Sequence, residues 1–339
     1  MNLPAAPRIL LINVARIGDT LLVTPALRAL KETWPDCHLT VWAHKKRMSV
    51  LAHNPHVDAL HGFSLGLRLG LLFTGQKFDL ALVYGRDQTC LNAALRCAGK
   101  VVAFADSKWH DTDRLQLVPR PEQPVHAVHE RLLLPQAVGA DTANYRLQYH
   151  VTPAEKAWAA EWLTARVTGR DGKNIIALQL NSFPTKAHRD WPLASFVTLA
   201  ERLLEKSPAT VFLVVGDHHS ASAADTLARK FGESVVIAAG AVSLRQSAAL
   251  MACCQGYVGV DTGPTHLAGA LGLPMVALYH PAYPGRYLQP LQHEHLCIID
   301  PFGQAPVPHP ETFDMASIPA ETVFNAVSSL SSAWMPNSG

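Results

Sequence analysis

Residues 8–30, RILLINVARIGDTLLVTPALRAL, pass from an unbroken apolar run through a single Gly18-Asp19 pair into a pattern of helical period. The apolar run fits a strand buried on both faces, and Leu21, Leu22, Pro25, Ala26, Ala29 and Leu30 then fall on one side of a helix that Trp34-Pro35 ends. Strand, tight turn at Gly18 and helix, in that order, open a parallel βαβ unit. The acid at the helix start has two readings. Asp19 either satisfies free N–H groups of the first turn, or it is a carboxylate placed there for chemistry.

The same alternation runs on. In the first half the strand-like segments are 8–14, HLTVWA (38–43), FDLALVY (78–84) and KVVAF (100–104). A second series follows the Gly- and charge-rich segment TGRDGKN (168–174): IIALQL (175–180), TVFLVV (210–215), SVVIA (234–238), YVGV (257–260), PMVALY (274–279) and LCIID (296–300). The expectation is an α/β protein of two doubly wound parallel-sheet domains, 1–168 and 169–315, facing a central cleft. Residues 301–315 read as loop, and within 316–339 a helix is expected with Ser317 as its cap, Pro319 in its first turn, and a face that packs back on the first domain. No internal repeat is visible beyond the βαβ alternation.

Composition narrows the function. The chain has 339 residues, 48% of them apolar, which suffices for two cores. Lys and Arg number 29 against 27 acids, a net charge of +2 with no run of like charge, so a nucleic-acid partner is not expected. The six cysteines (37, 90, 97, 253, 254, 297) lack CxxC spacing and read as reduced thiols, which favours a cytoplasmic location. The N-terminus lacks the pattern of an export signal. The most lipid-like segment, LGLRLGLLF (65–73), is broken by Arg68, falls far short of the roughly 20 residues of a membrane span, and reads as a buried helix.

In open parallel sheets ligands bind beyond the carboxyl ends of the strands. Besides Asp19, one further segment stands there with distinctive chemistry: VGVDTGPTHLAGALGLP (258–274). Asp261 ends a strand, Thr262 and Gly263 turn, and Pro264 suits a first helical position. The N–H groups of Thr262, Gly263 and Thr265 would make a nest for a diphosphate, although an ordinary capped helix accounts for the same residues. A GxGxxG after the first strand and a GxxxxGK[ST] motif are both absent, which sets aside a dinucleotide fingerprint and a P-loop. There are 17 histidines, but His218-His219, HEH (293–295) and HAVHE (126–130) lack metal-motif spacing; neither a structural zinc nor a catalytic metal is expected.

IGDTLLVTPALRALKETWPDCHLTVWA, RDWPLASF, FLVVGD and VGVDTGPTHLAGALGLPMVALY, taken together and in order, resemble glycosyltransferase family 9, the ADP-heptose lipopolysaccharide heptosyltransferases. The resemblance implies a GT-B fold, with acceptor mostly on the first Rossmann-like domain and nucleotide sugar on the second, and no cofactor besides the ADP-heptose co-substrate. It casts Asp19 as the general base that takes the proton of the attacking acceptor hydroxyl in an inverting transfer.

On the donor side, the family's phosphate-contacting Lys before a "(R/H)WP" segment is replaced here by Arg189, with Lys186 available from the same loop. Asn181 and Ser182 match diphosphate positions, and His266 matches a residue beside the diphosphate. Val242 matches an apolar contact to adenine. A Glu that holds the ribose in relatives is matched by Ser220 or a neighbour, with Asp217 the nearby acid.

For the acceptor, a phosphorylated or Kdo-bearing lipid A core, Arg86 and Asp87 in GRDQT and Lys108 and Arg114 in DSKWHDTDR are candidates; solvated loops explain the same charges. Such acceptors sit at the inner leaflet of the inner membrane, so peripheral contact with that membrane follows as a hypothesis. Two other functions fit the same residues. One is a family member with another acceptor, such as a protein, or with another nucleotide sugar. The other is a nucleotide-sugar binding protein that transfers nothing.

Overall fold

The computed structural model describes residues 3–64, 77–169, 173–302 and 309–330. The expected segment 65–73, part of the 168–174 linker and residues 303–308 of the expected loop lie outside them. No helix among the described residues is long and apolar enough to cross a membrane.

The opening stretch folds as β1 (Arg8–Asn13), α1 (Ile17–Leu21) and α2 (Thr24–Thr33). Ile9, Leu10, Leu11 and Ile12 have no solvent exposure, as a strand covered on both faces requires. The single expected helix is split because Pro25 stands at the start of α2, where its missing N–H is tolerated; Trp34 ends it. The remaining strands of the first unit are β2 (His38–His44), β3 (Ala59–Phe63), β4 (Phe78–Tyr84), β5 (Ala98–Phe104) and β6 (Leu115–Val118). Its later helices are α3 (Gln88–Cys97) and α4 (Ala127–Gln136).

The second unit holds α5 (Pro153–Thr164), β7 (Asn174–Gln179), α6 (Leu193–Lys206), β8 (Thr210–Val215), α7 (Ala221–Phe231), β9 (Val235–Ile237) and α8 (Leu244–Met251). It continues with β10 (Gly256–Val260), α9 (Gly263–Leu271), β11 (Met275–Leu278), α10 (Gly285–Leu288), β12 (Leu296–Ile299) and α11 (Ala320–Ser329). Both sheets are six-stranded, and every pairing in them is parallel.

Their orders, β3-β2-β1-β4-β5-β6 and β12-β11-β10-β7-β8-β9, are one order read from opposite ends. Counted within each unit, both are the 3-2-1-4-5-6 order of a Rossmann-like doubly wound sheet. The repeat invisible in the sequence is thus present in the topology. The switch points fall between β1 and β4 and between β7 and β10.

Two expectations about organisation are corrected. The chain divides between His150 and Val151, not at 168/169. Up to about residue 150 it is stitched to α2: Arg28 donates to the carbonyls of Asn144 (3.0 Å) and Arg146 (3.2 Å), and the Gln148 N–H donates to Thr24 Oγ1 at 3.0 Å. α5 belongs to the second unit because it packs on α8, where Arg245 makes a two-pronged contact to Glu155 at 2.6 and 2.5 Å. α11 likewise packs on α6, and Trp191 Nε1 donates to the Ile318 carbonyl at 3.0 Å, so that its apolar face is taken up within the second unit. Ser317 does not cap this helix. It ends a preceding 3-10 turn, and Pro319 stands at the N-cap with no side-chain bond. All six cysteines are free thiols; burial pushes the Cys97 thiol up to about 11.

The Arg245 hydrogen bonds hold the Glu155 carboxyl near 2, well below its ordinary 4.5, and Glu155 also accepts from Thr152 in a capping box. A depressed carboxyl stabilises the fold above its unfolded value and loses that contribution as pH falls through the folded value. Glu155→Gln keeps the box and removes the charge, so it is expected to cost about 2 kcal/mol at pH 7. In urea melts the difference from the parent protein should shrink as the pH is lowered below about 4.5 toward 2.

Candidate functional site

In the first unit, Asp19 lies in the first turn of α1, directly beyond β1. It is not spent as a helix cap: the N-cap is Arg16, with no side-chain bond. Its Oδ1 instead accepts from Arg131 Nη2 at 2.7 Å, and the Asp19 side chain remains 46% exposed. Arg131 comes from α4, on the far side of the switch point. Its other prong donates to the Ala127 carbonyl at 2.9 Å, and its own carbonyl accepts from the Tyr84 hydroxyl, at the end of β4, at 2.8 Å. Gly18 adopts a helical conformation inside α1, and its carbonyl accepts from the Leu22 N–H at 2.9 Å; the turn after β1 does not depend on a left-handed glycine there.

Sequence reasoning missed Arg131, having weighed its neighbours 126–130 only as metal ligands. The usable signal was a guanidinium among Val128, Leu132, Leu134 and Pro135, the buried positions of α4. A basic residue there needs a partner.

The four acceptor candidates separate. Arg86, Asp87 and Lys108 follow β4 and β5, on the carboxyl edge of the sheet. Asp87 is the N-cap of α3, its Oδ1 accepting from the Thr89 N–H at 2.7 Å, while Arg86 is well exposed with Asp106 at 4.0 Å. Arg114 lies on the opposite, amino edge. It donates to the carbonyls of Leu95 (2.7 Å) and Ala98 (2.6 Å), closing the C-terminal end of α3. Its place as an acceptor contact is therefore corrected to a helix-terminus staple. On the carboxyl edge, Arg120 pairs with Glu130 and stacks 4.1 Å over the Phe104 ring; burial lowers its pKa, and Arg86 and Arg131 push in the same direction.

In the second unit the loop after β7 and the end of β10 meet. Arg189, 7% exposed, donates both to the carboxylate and to the carbonyl of Asp261, and its guanidinium lies 4.2 Å over the Tyr283 ring. His266 Nε2 is 3.6 Å from the other Asp261 oxygen. Arg189 is thus committed inside the protein, and its Nε has no hydrogen-bond partner. Lys186, in the same 3-10 segment Pro184–Arg189, keeps its ammonium 5.3 Å over the Tyr283 ring, and no carboxylate ion-pairs with it among the described residues.

Ser182 and Asp190 close this loop. The Ser182 N–H donates to Asp190 Oδ1 at 2.7 Å and its hydroxyl to the Lys186 carbonyl at 2.9 Å; burial raises the Asp190 carboxyl pKa. Trp191, 1% exposed and edge-on to Phe196 at 4.8 Å, anchors the segment in the core.

The nest at α9 is narrower than expected. Thr262 is the N-cap and lacks a side-chain cap bond, and Gly263 begins the helix. The Thr265 N–H is not free: it donates to the Thr262 carbonyl at 3.1 Å. The Thr265 hydroxyl, wholly buried, donates to the Val260 carbonyl at 2.5 Å and meets the Tyr257 hydroxyl at 2.8 Å. Thr265 therefore shapes the turn from inside, and the N–H groups left to a ligand are those of Thr262 and Gly263.

Beyond β8, Asp217 caps a short 3-10 turn by accepting from the His219 N–H at 2.9 Å. Ser220 is 1% exposed, and its hydroxyl donates to Asn181 Oδ1 at 2.6 Å. Ser220 thus orders Asn181 and is not itself presented to a ligand. Val242 is half-buried in the turn before α8.

Heptosyltransferases are similar to this chain in sequence, and one of them in fold. The chain is 25% identical over 283 residues to lipopolysaccharide heptosyltransferase 3 of Escherichia coli, covering 77% of this chain and 80% of that protein. It is 25% identical over 305 residues to lipooligosaccharide heptosyltransferase 2 of Haemophilus influenzae, covering 84% and 86%. Among solved structures, the E. coli ADP-heptose LPS heptosyltransferase II superposes with a TM-score of 0.78 at 18% identity, over 95% of this chain and 98% of that one, which establishes the GT-B fold. The model of glycosyltransferase family 9 (heptosyltransferase) matches residues 97–312, well over half of the sequence, and the chain belongs to that family of glycosyltransferases.

Proposed function

We propose that this enzyme moves a heptose from ADP-heptose to a sugar of the lipopolysaccharide inner core, with inversion at the anomeric carbon. The observation that carries the reading is Asp19: a carboxylate at a switch point, fixed through Oδ1 by Arg131, with its side chain half exposed. Oδ2 takes the proton of the acceptor hydroxyl as that oxygen bonds to the anomeric carbon. The bond from that carbon to the diphosphate breaks, and its electron pair leaves on ADP. Arg131 acts by positioning, since one guanidinium prong holds Asp19 and the other holds its own helix.

In the second unit the N–H groups of Thr262 and Gly263 and the ammonium of Lys186 receive the diphosphate. The Arg189–Asp261–His266 cluster keeps the loop and the helix start in register. No metal ion is needed for this charge neutralisation, because a helix start and an ammonium supply it. The names of the relatives support the heptose and the lipopolysaccharide acceptor, and the ADP-heptose enzyme of matching fold supports the donor. The same reading puts the enzyme in the cytoplasm, meeting its acceptor at the inner face of the inner membrane.

Calorimetric titration with ADP, UDP, GDP and ADP-heptose tests the donor: selective binding of ADP, tightened by the heptose, is expected, and preference for another nucleotide would overturn it. Asp19→Asn should lower kcat by about a hundredfold to ten-thousandfold while ADP affinity stays within about twofold. Lys186→Ala is expected to weaken ADP binding about tenfold with an unchanged melting temperature. Arg189→Ala, which strands a buried carboxylate, should instead destabilise the protein by about 3–5 kcal/mol in denaturant melts.

A further inference from the structure

The turn beyond β8 carries three consecutive potential ligands, Asp217, His218 and His219, all exposed. One carboxylate oxygen and one ring nitrogen from each imidazole lie within 4.8 Å of one another. The two rings stand side by side, 4.0 Å between centroids and tilted by 39°. Consecutive side chains ordinarily diverge, so this convergence is a product of the turn.

The backbone beneath them is held at several points. Asp217 Oδ1 accepts from the His219 N–H at 2.9 Å, which leaves Oδ2 for another partner. Asn181 Nδ2 donates to the His219 carbonyl at 3.3 Å. Gly240, at φ +68°, passes so close that a Cβ there would meet His218 Cα at 2.9 Å, and its N–H donates to the Gly216 carbonyl at 3.2 Å. No ion pair engages Asp217 among the described residues, so its charge is not neutralised by a protein cation.

We infer that Asp217, His218 and His219 form a surface site for a divalent cation of the zinc, cobalt and nickel class. Two imidazoles and one carboxylate suit these borderline ions, whereas magnesium and calcium prefer oxygen ligands throughout. Zinc takes nitrogen and carboxylate oxygen at roughly 2.0–2.2 Å, so binding would draw inward the three ligand atoms that now lie within 4.8 Å of one another. Solvent completes the coordination, because all three side chains are exposed. The ion cross-links the turn that already holds Asn181 by hydrogen bonds to the His219 carbonyl and Ser220 hydroxyl.

The test is a Co2+ titration of the full chain without a polyhistidine tag, followed by visible absorption and calorimetry, with Zn2+ added in competition. One equivalent of Co2+ displaced by Zn2+ is expected, and His218→Gln and His219→Gln should each weaken that equivalent at least tenfold. Asp217→Asn, which keeps an oxygen acceptor for the His219 N–H, should weaken it as well. Far-UV circular dichroism of each variant checks that the turn's loss of ligands is not a loss of fold. The inference is overturned if the parent protein binds no Co2+, or if the folded variants bind it with unchanged stoichiometry and affinity through other histidines. The donor and Asp19 are tested separately, by nucleotide binding and turnover, so failure of the metal site and failure of the proposed function are distinguishable.

Discussion

In a sheet whose strands are all parallel, every strand ends on the same edge, and the loops that leave that edge are the only ones that can gather beside one ligand. The order 3-2-1-4-5-6 adds a second constraint. At the switch point the helices that follow neighbouring strands depart to opposite faces, which opens a crevice between β1 and β4 and again between β7 and β10. Asp19 follows β1 and Tyr84 ends β4; Asn181 follows β7 and Asp261 follows β10. The candidate residues of each unit stand where its topology leaves room.

Both switch points use an acid after a central strand and an arginine brought from elsewhere, with different effect. The Arg131–Asp19 pair is partly exposed, and a pair in such a setting contributes little stability. Its value is orientation of one oxygen, with the carboxylate still open to solvent. The Arg189–Asp261 pair has side chains 8% and 6% exposed. Its two charges depend on each other, because either alone would face the full cost of desolvation. One pair presents a carboxylate; the other consumes one to fix a loop. Arg189 is thus committed inside the protein, whereas the Lys186 ammonium on the same loop meets no carboxylate among the described residues.

The sequence was most legible where burial is complete. The central strands read as continuous apolar runs because both their faces are covered, and their bounds match the structure to within two residues. β3 (ALHGF) and β6 (LQLV) were not anticipated. They are edge strands, one of them half exposed along its length, and their short mixed composition resembles loop. Asp19, Asp261 and Gly263 were placed at strand ends because strand-to-helix junctions carry local signatures, whereas the 186–191 loop stood out only through the family resemblance. Arg131 was not, because the partner it makes with Asp19 is 112 residues away in sequence. Arg114 was misplaced for the same reason: charge is visible in a sequence, but the edge of the sheet on which it lies is not. The unit boundary moved because Arg28 and Arg245 draw flanking segments to opposite units, again by contacts at long range.

The strand order also governs how the chain reaches this state. The pairs that flank each switch point are the ones most separated along the chain: the Arg8 N–H meets Asp79 across 71 residues, and the Ile175 N–H meets Gln255 across 80. Closing such loops costs entropy before any strand contact repays it, and sheets dominated by distant pairings fold slowly. β1 and β7 can pair early with β2 and β8, but the partner across each switch point, β4 or β10, comes about 70–80 residues later in the chain. Each crevice therefore needs strands from both halves of its unit, and partly folded chains with unpaired apolar strands are the species prone to aggregate.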